Sequence, residues 1–264
     1  MQDIKKAHVL FMDGKYAEAA AIYREGAEEG DIECAFNYGY CLYHGYGVKQ
    51  SREEAKSFFV FSSGLDGGDA CYNLAVMYLF GFGVRQNSKK TYEYMYDAAR
   101  LGSIEAQLYL GIAHTLGSLF DPDVKFISRI PFHKSEYSAD VAELDGYVPD
   151  MAEDEEARMS ALRFDPVSAF EWFREAAKQN NLYAEELSKT AKYLYARCYL
   201  DGLGTDFNLK RGNELMLIAA SEGSSDALTY LETTAPYVLE NLKNGDMLDF
   251  LKRKEGIGSP KSSD

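Results

Sequence analysis

The sequence has no apolar run approaching the length needed to cross a membrane, and it is poor in cysteine, histidine, proline and tryptophan. A spanning helix needs about 20 consecutive apolar residues. The opening MQDIKKAHVLFMDGKY carries too few even for a secretory leader. The expectation is a cytoplasmic protein with no membrane partner. Basic side chains are short of acidic ones, 28 against 42, for a formal charge of −14. That balance argues against a nucleic-acid partner, because phosphates are held by Lys and Arg. It fits a protein or peptide partner of basic character, or solubility alone.

The four cysteines, Cys34, Cys41, Cys71 and Cys198, form no CxxC pair, and each falls on an expected helix where a small apolar side chain fits. Buried, reduced thiols are expected. The four histidines, His8, His44, His114 and His133, lie in different parts of the chain with no HxxxH pair. A metal site needs three or four converging ligands, so no metal and no cofactor is expected. No Cys–His or Ser–His–Asp arrangement can be argued from spacing, and no enzymatic activity is expected.

What the sequence has instead is recurrence. CAFNYGYCLYHGYGV begins at Cys34, ACYNLAVMYLFGFGV begins 36 residues later at Ala70, and AQLYLGIAHTLGS begins another 36 on at Ala106. A period in this range marks a repeat array. Each copy is an apolar helix ending in glycines that supply positive φ where the chain reverses. Phosphate-binding glycines follow a strand and open a helix, whereas these follow a helix, which argues against a nucleotide loop.

Each first helix is followed by a second. The opening reads as two helices joined at Asp13-Gly14, with Ala19, Ile22 and Tyr23 on one stripe. A first helix is expected over Ile32 to His44, and Ser51-Arg-Glu-Glu54 reads as a capping box for its partner. The third copy repeats the plan through Tyr94, Ala98, Ala99 and Gly102. The pattern Ala70-x-x-x-Leu74, Tyr78-x-x-Gly81-x-Gly83-Val84, Tyr94-x-x-x-Ala98-Ala99-x-x-Gly102 resembles the Sel-one-like repeat, a relative of the tetratricopeptide repeat. The resemblance implies an all-α superhelical solenoid of tandem helix-turn-helix repeats acting as an adaptor or scaffold for other proteins.

The fourth copy departs from the period. Gly117 has no second glycine after it, and the partner helix is expected only at Asp165-Pro166, an N-cap and first-turn proline. Subtracting the period leaves a 42-residue insertion, within 118–164, before the unit starting at Ala184. From Asp121 to Asp165 there are 12 acidic and 5 basic residues, half the net charge of the chain. A short helix is expected from Met151 to Leu162. The next first helix is expected to carry seven extra residues, Ala184 to Ala191. One solenoid is expected over 1–256, with capping helices over 233–254 and a loose tail over 257–264.

In related solenoids the first helices line the concave surface, and the outward stripe steps by three and four residues. That stripe is Phe36, Asn37, Tyr40 and His44, then Tyr72, Asn73, Val76 and Phe80. It continues through Leu108, Tyr109 and Ile112 to Tyr193, Leu194 and Arg197. Related grooves use asparagines on this face to bond an extended peptide, and Asn37 and Asn73 stand one repeat apart. The expected function is binding of a protein or peptide on this face. A second reading is a dedicated inhibitor or immunity-type protein using the acidic insertion. A third is a small-molecule or catalytic site between insertion and groove.

Overall fold

A computed structural model describes residues 2–64, 67–117, 164–179 and 184–239. All regular elements among these residues are helical, and they run in pairs. Helices α1 (Gln2–Met12) and α2 (Tyr16–Glu28) are followed by α3 (Ile32–His44) and α4 (Arg52–Ser63), then α5 (Gly68–Phe80) and α6 (Ser88–Arg100). Next come α7 (Ile104–Leu116) with α8 (Pro166–Ala177), and α9 (Glu185–Asp201) with α10 (Leu209–Ser221). Helix α11 (Ser225–Thr234) and the one-turn α12 (Pro236–Leu239) close the described chain. This is the all-α, α/α solenoid architecture that the period implies.

The chain divides into two compact units, one over Met1–Ser103 and one beginning at Ile104. Within each, every helix packs on its neighbours in sequence: α1 through α6 in the first, α7 through α11 in the second. The first unit has two apolar clusters. One joins Ala7, Ala19, Ala20, Tyr23 and Cys34; the other joins Leu42, Ala55, Phe59, Leu74 and Met77. Small residues set the spacing, since Ala98 and Ala99 are both buried on α6 and let α5 approach it closely.

The turns after α3, α5 and α9 have one construction. After α5, Gly81 adopts φ +76°, and the amides of Gly81 and Phe82 both donate to the Met77 carbonyl. That left-handed closure satisfies carbonyls the helix end would leave open. The chain then returns, and the amide of the next N-cap donates to the first helix. Ser51 bonds Leu42, Asn87 bonds Tyr78 and Asn208 bonds Tyr199, each nine residues apart. In the fourth copy the same bond joins Asp165 N to His114 O at 3.0 Å, across 51 residues. The excess is the 42-residue insertion counted in the sequence, so α8 docks on α7 in the register of an uninterrupted repeat.

Two local expectations change. The Ser51 hydroxyl accepts from Glu54 N at 3.3 Å, but the Ser51 amide donates to Leu42 O, so the reciprocal half of the capping box is replaced by the inter-helix bond. Helix α9 begins at Glu185 and has 17 residues against 13 in α3, α5 and α7. Its extension is one turn rather than nearly two, because Ala184 leaves helical geometry at φ −126°, ψ 41°. The acidic insertion with its expected helix over 151–162, the end of the capping segment and the tail lie outside the described residues.

Candidate functional site

The first-helix stripe of the first unit is built on α3 and α5. Asp31 caps α3, accepting from Cys34 N at 2.7 Å, and thereby fixes the rotation of its faces. Phe36, Asn37, Tyr40 and His44 are all half-buried. Phe36 turns toward α4, its ring 5.9 Å from that of Phe59. Tyr40 joins an aromatic group that the stripe alone does not predict. Its ring lies 4.4 Å from His44, 6.0 Å from Tyr46 and 6.3 Å from Phe11. Tyr16 stacks on Tyr46 at 4.9 Å. The missed signal was the middle residue of Gly45-Tyr46-Gly47, which the turn folds back over α3.

Burial lowers His44 from 6.5 to about 4, and the neighbouring Arg52 charge acts in the same direction. The imidazole is therefore neutral at physiological pH and packs as an aromatic ring against Tyr40, Tyr43 and Tyr46. Arg52 itself lies over Phe82 at 4.5 Å and Tyr43 at 5.4 Å, a cation held by two ring faces.

On α5 the stripe is mostly covered. Tyr72, Val76 and Phe80 are buried, and Asn73 alone is half-buried. The two asparagines differ in what they already bond. Asn37 Nδ2 donates to Glu33 O at 2.7 Å and approaches His8 Nε2 at 3.5 Å. Asn73 makes no side-chain hydrogen bond among the described residues. An amide in that state can both donate to and accept from a peptide backbone.

In the second unit, Leu108 and Tyr109 are buried on α7 and Ile112 is half-buried. Tyr193, Leu194 and Arg197 are half-buried on α9. Arg197 is held along its own helix, with Nη1 donating to the Tyr193 hydroxyl at 3.0 Å and Nε to Asp201 at 2.9 Å. The structure thus brings Tyr40 and His44 together on α3, and Tyr193 with Arg197 on α9.

The thiols are buried and protonated: burial raises Cys34, Cys41 and Cys198 to about 12 and Cys71 to about 11. Among the described residues no group of three or more His, Cys, Asp or Glu side chains is placed to hold a metal, and no helix is long and apolar enough to cross a membrane.

With nine-residue links and left-handed glycine closures on two successive helix pairs, the repeat type is decided by its match to a family. Residues 32–60, 68–103, 160–181 and 190–224 each match the Sel1 repeat. The chain is a Sel1-repeat protein. Sel1-repeat proteins are generally non-enzymatic scaffolds for protein–protein interaction. The 160–181 match joins α8 to the set and agrees with the Asp165–His114 bond. A crystal structure of a Sel1 repeat protein from Oxalobacter formigenes superposes with a TM-score of 0.59 over 82% of this chain and 49% of that one, at 21% identity. That likeness is one of fold, and this chain spans about half the length of that protein. A protective antigen of uropathogenic Escherichia coli with an SLR fold covers 96% of this chain and 60% of its own at 17% identity, with a TM-score of 0.41. No curated protein matches the sequence.

Proposed function

We propose that this Sel1-repeat protein binds an extended segment of a partner protein along the first-helix face of α3 and α5. The observation that carries this reading is Asn73, half-buried with an amide bonded to nothing among the described residues, one repeat from Asn37. Tyr40, His44 and Tyr46 form an aromatic wall on α3 and its turn. Asparagine amides at a 36-residue period bond a peptide backbone, and aromatic rings beside them select its side chains. Ile112, Tyr193, Leu194 and Arg197 offer the second unit a first-helix face of the same kind. The overall charge of −14 favours a partner of basic character, through faster encounter more than through affinity.

The test is an affinity capture from the native cell extract with the intact protein and with an Asn37→Ala/Asn73→Ala variant. Tyr40→Ala serves as an independent probe of the aromatic wall. The expected result is a protein retained by the intact form and lost from both variants, with helicity and melting temperature nearly unchanged. Retention of the same protein by all three forms would remove the first-helix face from consideration.

A further inference from the structure

The first unit contains a second feature, on another side of α5. A cleft of about 670 Å³ opens between α4, α5 and α6, lined by Lys56, Tyr78, Arg85, Asn87 and Lys90 together with the turn from Gly83. At about 100° per residue, Tyr78 lies roughly 200° round the helix from Val76 and Phe80. The cleft is therefore separate from the first-helix stripe.

Its walls are cationic in a protein that is strongly acidic. The Lys56 ammonium sits 6.0 Å from the centre of the Tyr78 ring, and that of Lys90 sits 4.8 Å from it. Lys90 also donates to the Tyr78 hydroxyl at 3.3 Å. Neither lysine has a carboxylate within ion-pair distance among the described residues. Asn87 adds a donor. Its Oδ1 accepts from Lys90 N at 2.8 Å to cap α6, and its Nδ2 makes no hydrogen bond among the described residues.

The repeat supplies its own control. One copy earlier, the positions of Lys56, Tyr78, Arg85 and Lys90 hold Ala20, Leu42, Lys49 and Glu54. In the last copy they hold Phe170, Tyr199, Asp206 and Arg211, and Arg211 pairs with Glu214 at 3.7 Å. The backbone is the same in all three, so the fold does not require cations here. The accumulation belongs to this copy.

We propose that this cleft binds an acidic peptide segment, whose carboxylates pair with Lys56 and Lys90. Two point charges beside one ring suit carboxylates spaced along a chain. The volume exceeds what one small ion fills and is in the range of binding clefts for peptide-sized groups. A nucleobase is not accommodated by stacking, because Tyr94 stacks on Tyr78 at 5.8 Å with the planes 7° apart, and the lysines crowd the same ring. Gln86, in the non-helical stretch of the wall, has backbone groups with no hydrogen-bond partner among the described residues, and these suit an extended peptide backbone.

The test is fluorescence anisotropy with a labelled Glu/Asp octapeptide and the full-length chain at low ionic strength. Saturable binding is expected, weakened at least tenfold in Lys56→Gln/Lys90→Gln, with unchanged circular dichroism and melting. Lys49→Gln, at the Arg85 position one repeat earlier, is expected to bind as the wild type does. Absence of saturable binding, or equal binding by the double variant, overturns the proposal. Displacement of the label by tripolyphosphate at lower concentration than by unlabelled peptide also overturns it, and reassigns the cleft to a phosphate chain. Because the probe is defined, this outcome is independent of whether the first-helix face captures a partner.

Discussion

Lys56 on α4 and Phe170 on α8 stand at the same register position, each against the tyrosine of the following first helix. Lys56 puts an ammonium 6.0 Å from Tyr78, whereas Phe170 sets its ring edge-on to Tyr199 at 5.5 Å. A second pair of positions differs as sharply. Cys71 and Leu101 in the first unit correspond to Lys192 and Glu222 in the second, where the two charges form an ion pair and Lys192 is 4% exposed. A third set is the last residue of the first helix: His44, Phe80 and Asp201. The turn glycines, small residues and N-caps recur while these positions change. The repeat backbone is thus held by a few groups, and the positions between them are open to chemistry specific to one copy.

The largest effect is expected where the shared backbone itself is struck. Gly204 has φ +67°, and a Cβ there would collide with the Pro166 carbonyl and the Phe170 side chain at the start of α8. Gly204→Ala combines a left-handed cost of about 1–2 kcal/mol with overpacking of about 1–3 kcal/mol. Gly102, at φ +94° with open space around its Cβ position, incurs only the conformational part, about 1–2 kcal/mol. Urea titration of the two variants should separate their midpoints clearly. Equal midpoints would mean that the close approach of turn and helix does not hold the repeat together.

Next in size is the charged pair. Lys192→Met removes the ammonium that pairs with Glu222 and should cost about 3 kcal/mol, since breaking a buried ion pair is strongly destabilising. Adding Glu222→Leu installs the apolar character of the first unit and should recover most of the loss. A double variant as unstable as the single one would show that the two units do not tolerate the same side-chain chemistry.

These cases mark how much was legible. Helix pairing, the turn glycines and the 42-residue insertion all follow from spacing, because glycine at positive φ and alanine at close contacts have few substitutes. Lys192–Glu222 was not legible: its members are 30 residues apart, and each looks like an ordinary surface residue. The cationic cleft is hidden for the same reason, since Lys56 and Lys90 lie 34 residues apart and share only their approach to Tyr78. Periodicity places Tyr72, Val76 and Phe80 on the stripe of α5 that faces away from its partner helix, and all three are buried. Periodicity locates the face that packs on the partner helix but does not report what covers the other.

His44 gives a pH-dependent contrast with Phe80 at the same position. Its imidazole is held at about 4 in the fold against 6.5 when exposed. Between those values the unfolded chain binds the extra proton, so stability falls as pH drops from 6.5 toward 4. The loss should be of the order of 2 kcal/mol. In His44→Phe, which copies the next repeat, that part of the pH dependence should be lost, so it should remain as a slope in the difference between the wild-type and variant stability curves. A difference curve flat from pH 7 to 4 would remove His44 as its source.

The smallest effects should come from the caps, and they grade by geometry. Asp165 accepts from Val167 N at 3.2 Å, Ser168 N at 3.1 Å and the Ser168 hydroxyl at 2.6 Å. These bonds hold its carboxyl below the usual range, so the cap is fully formed at neutral pH and weakens as pH falls through that lowered pKa. The Ser51 side chain accepts a single bond, from Glu54 N at 3.3 Å. Asp165→Ala should cost about 1–2 kcal/mol and Ser51→Ala about 0.5 kcal/mol. The ordering has a reason beyond the bonds themselves. Seven residues separate α4 from α3, whereas α8 begins after the long insertion and depends on its cap to start in register. Thermal melts that rank Ser51→Ala as the more damaging would mean that packing of α8 on α7, and not its N-terminus, restores the repeat after the insertion.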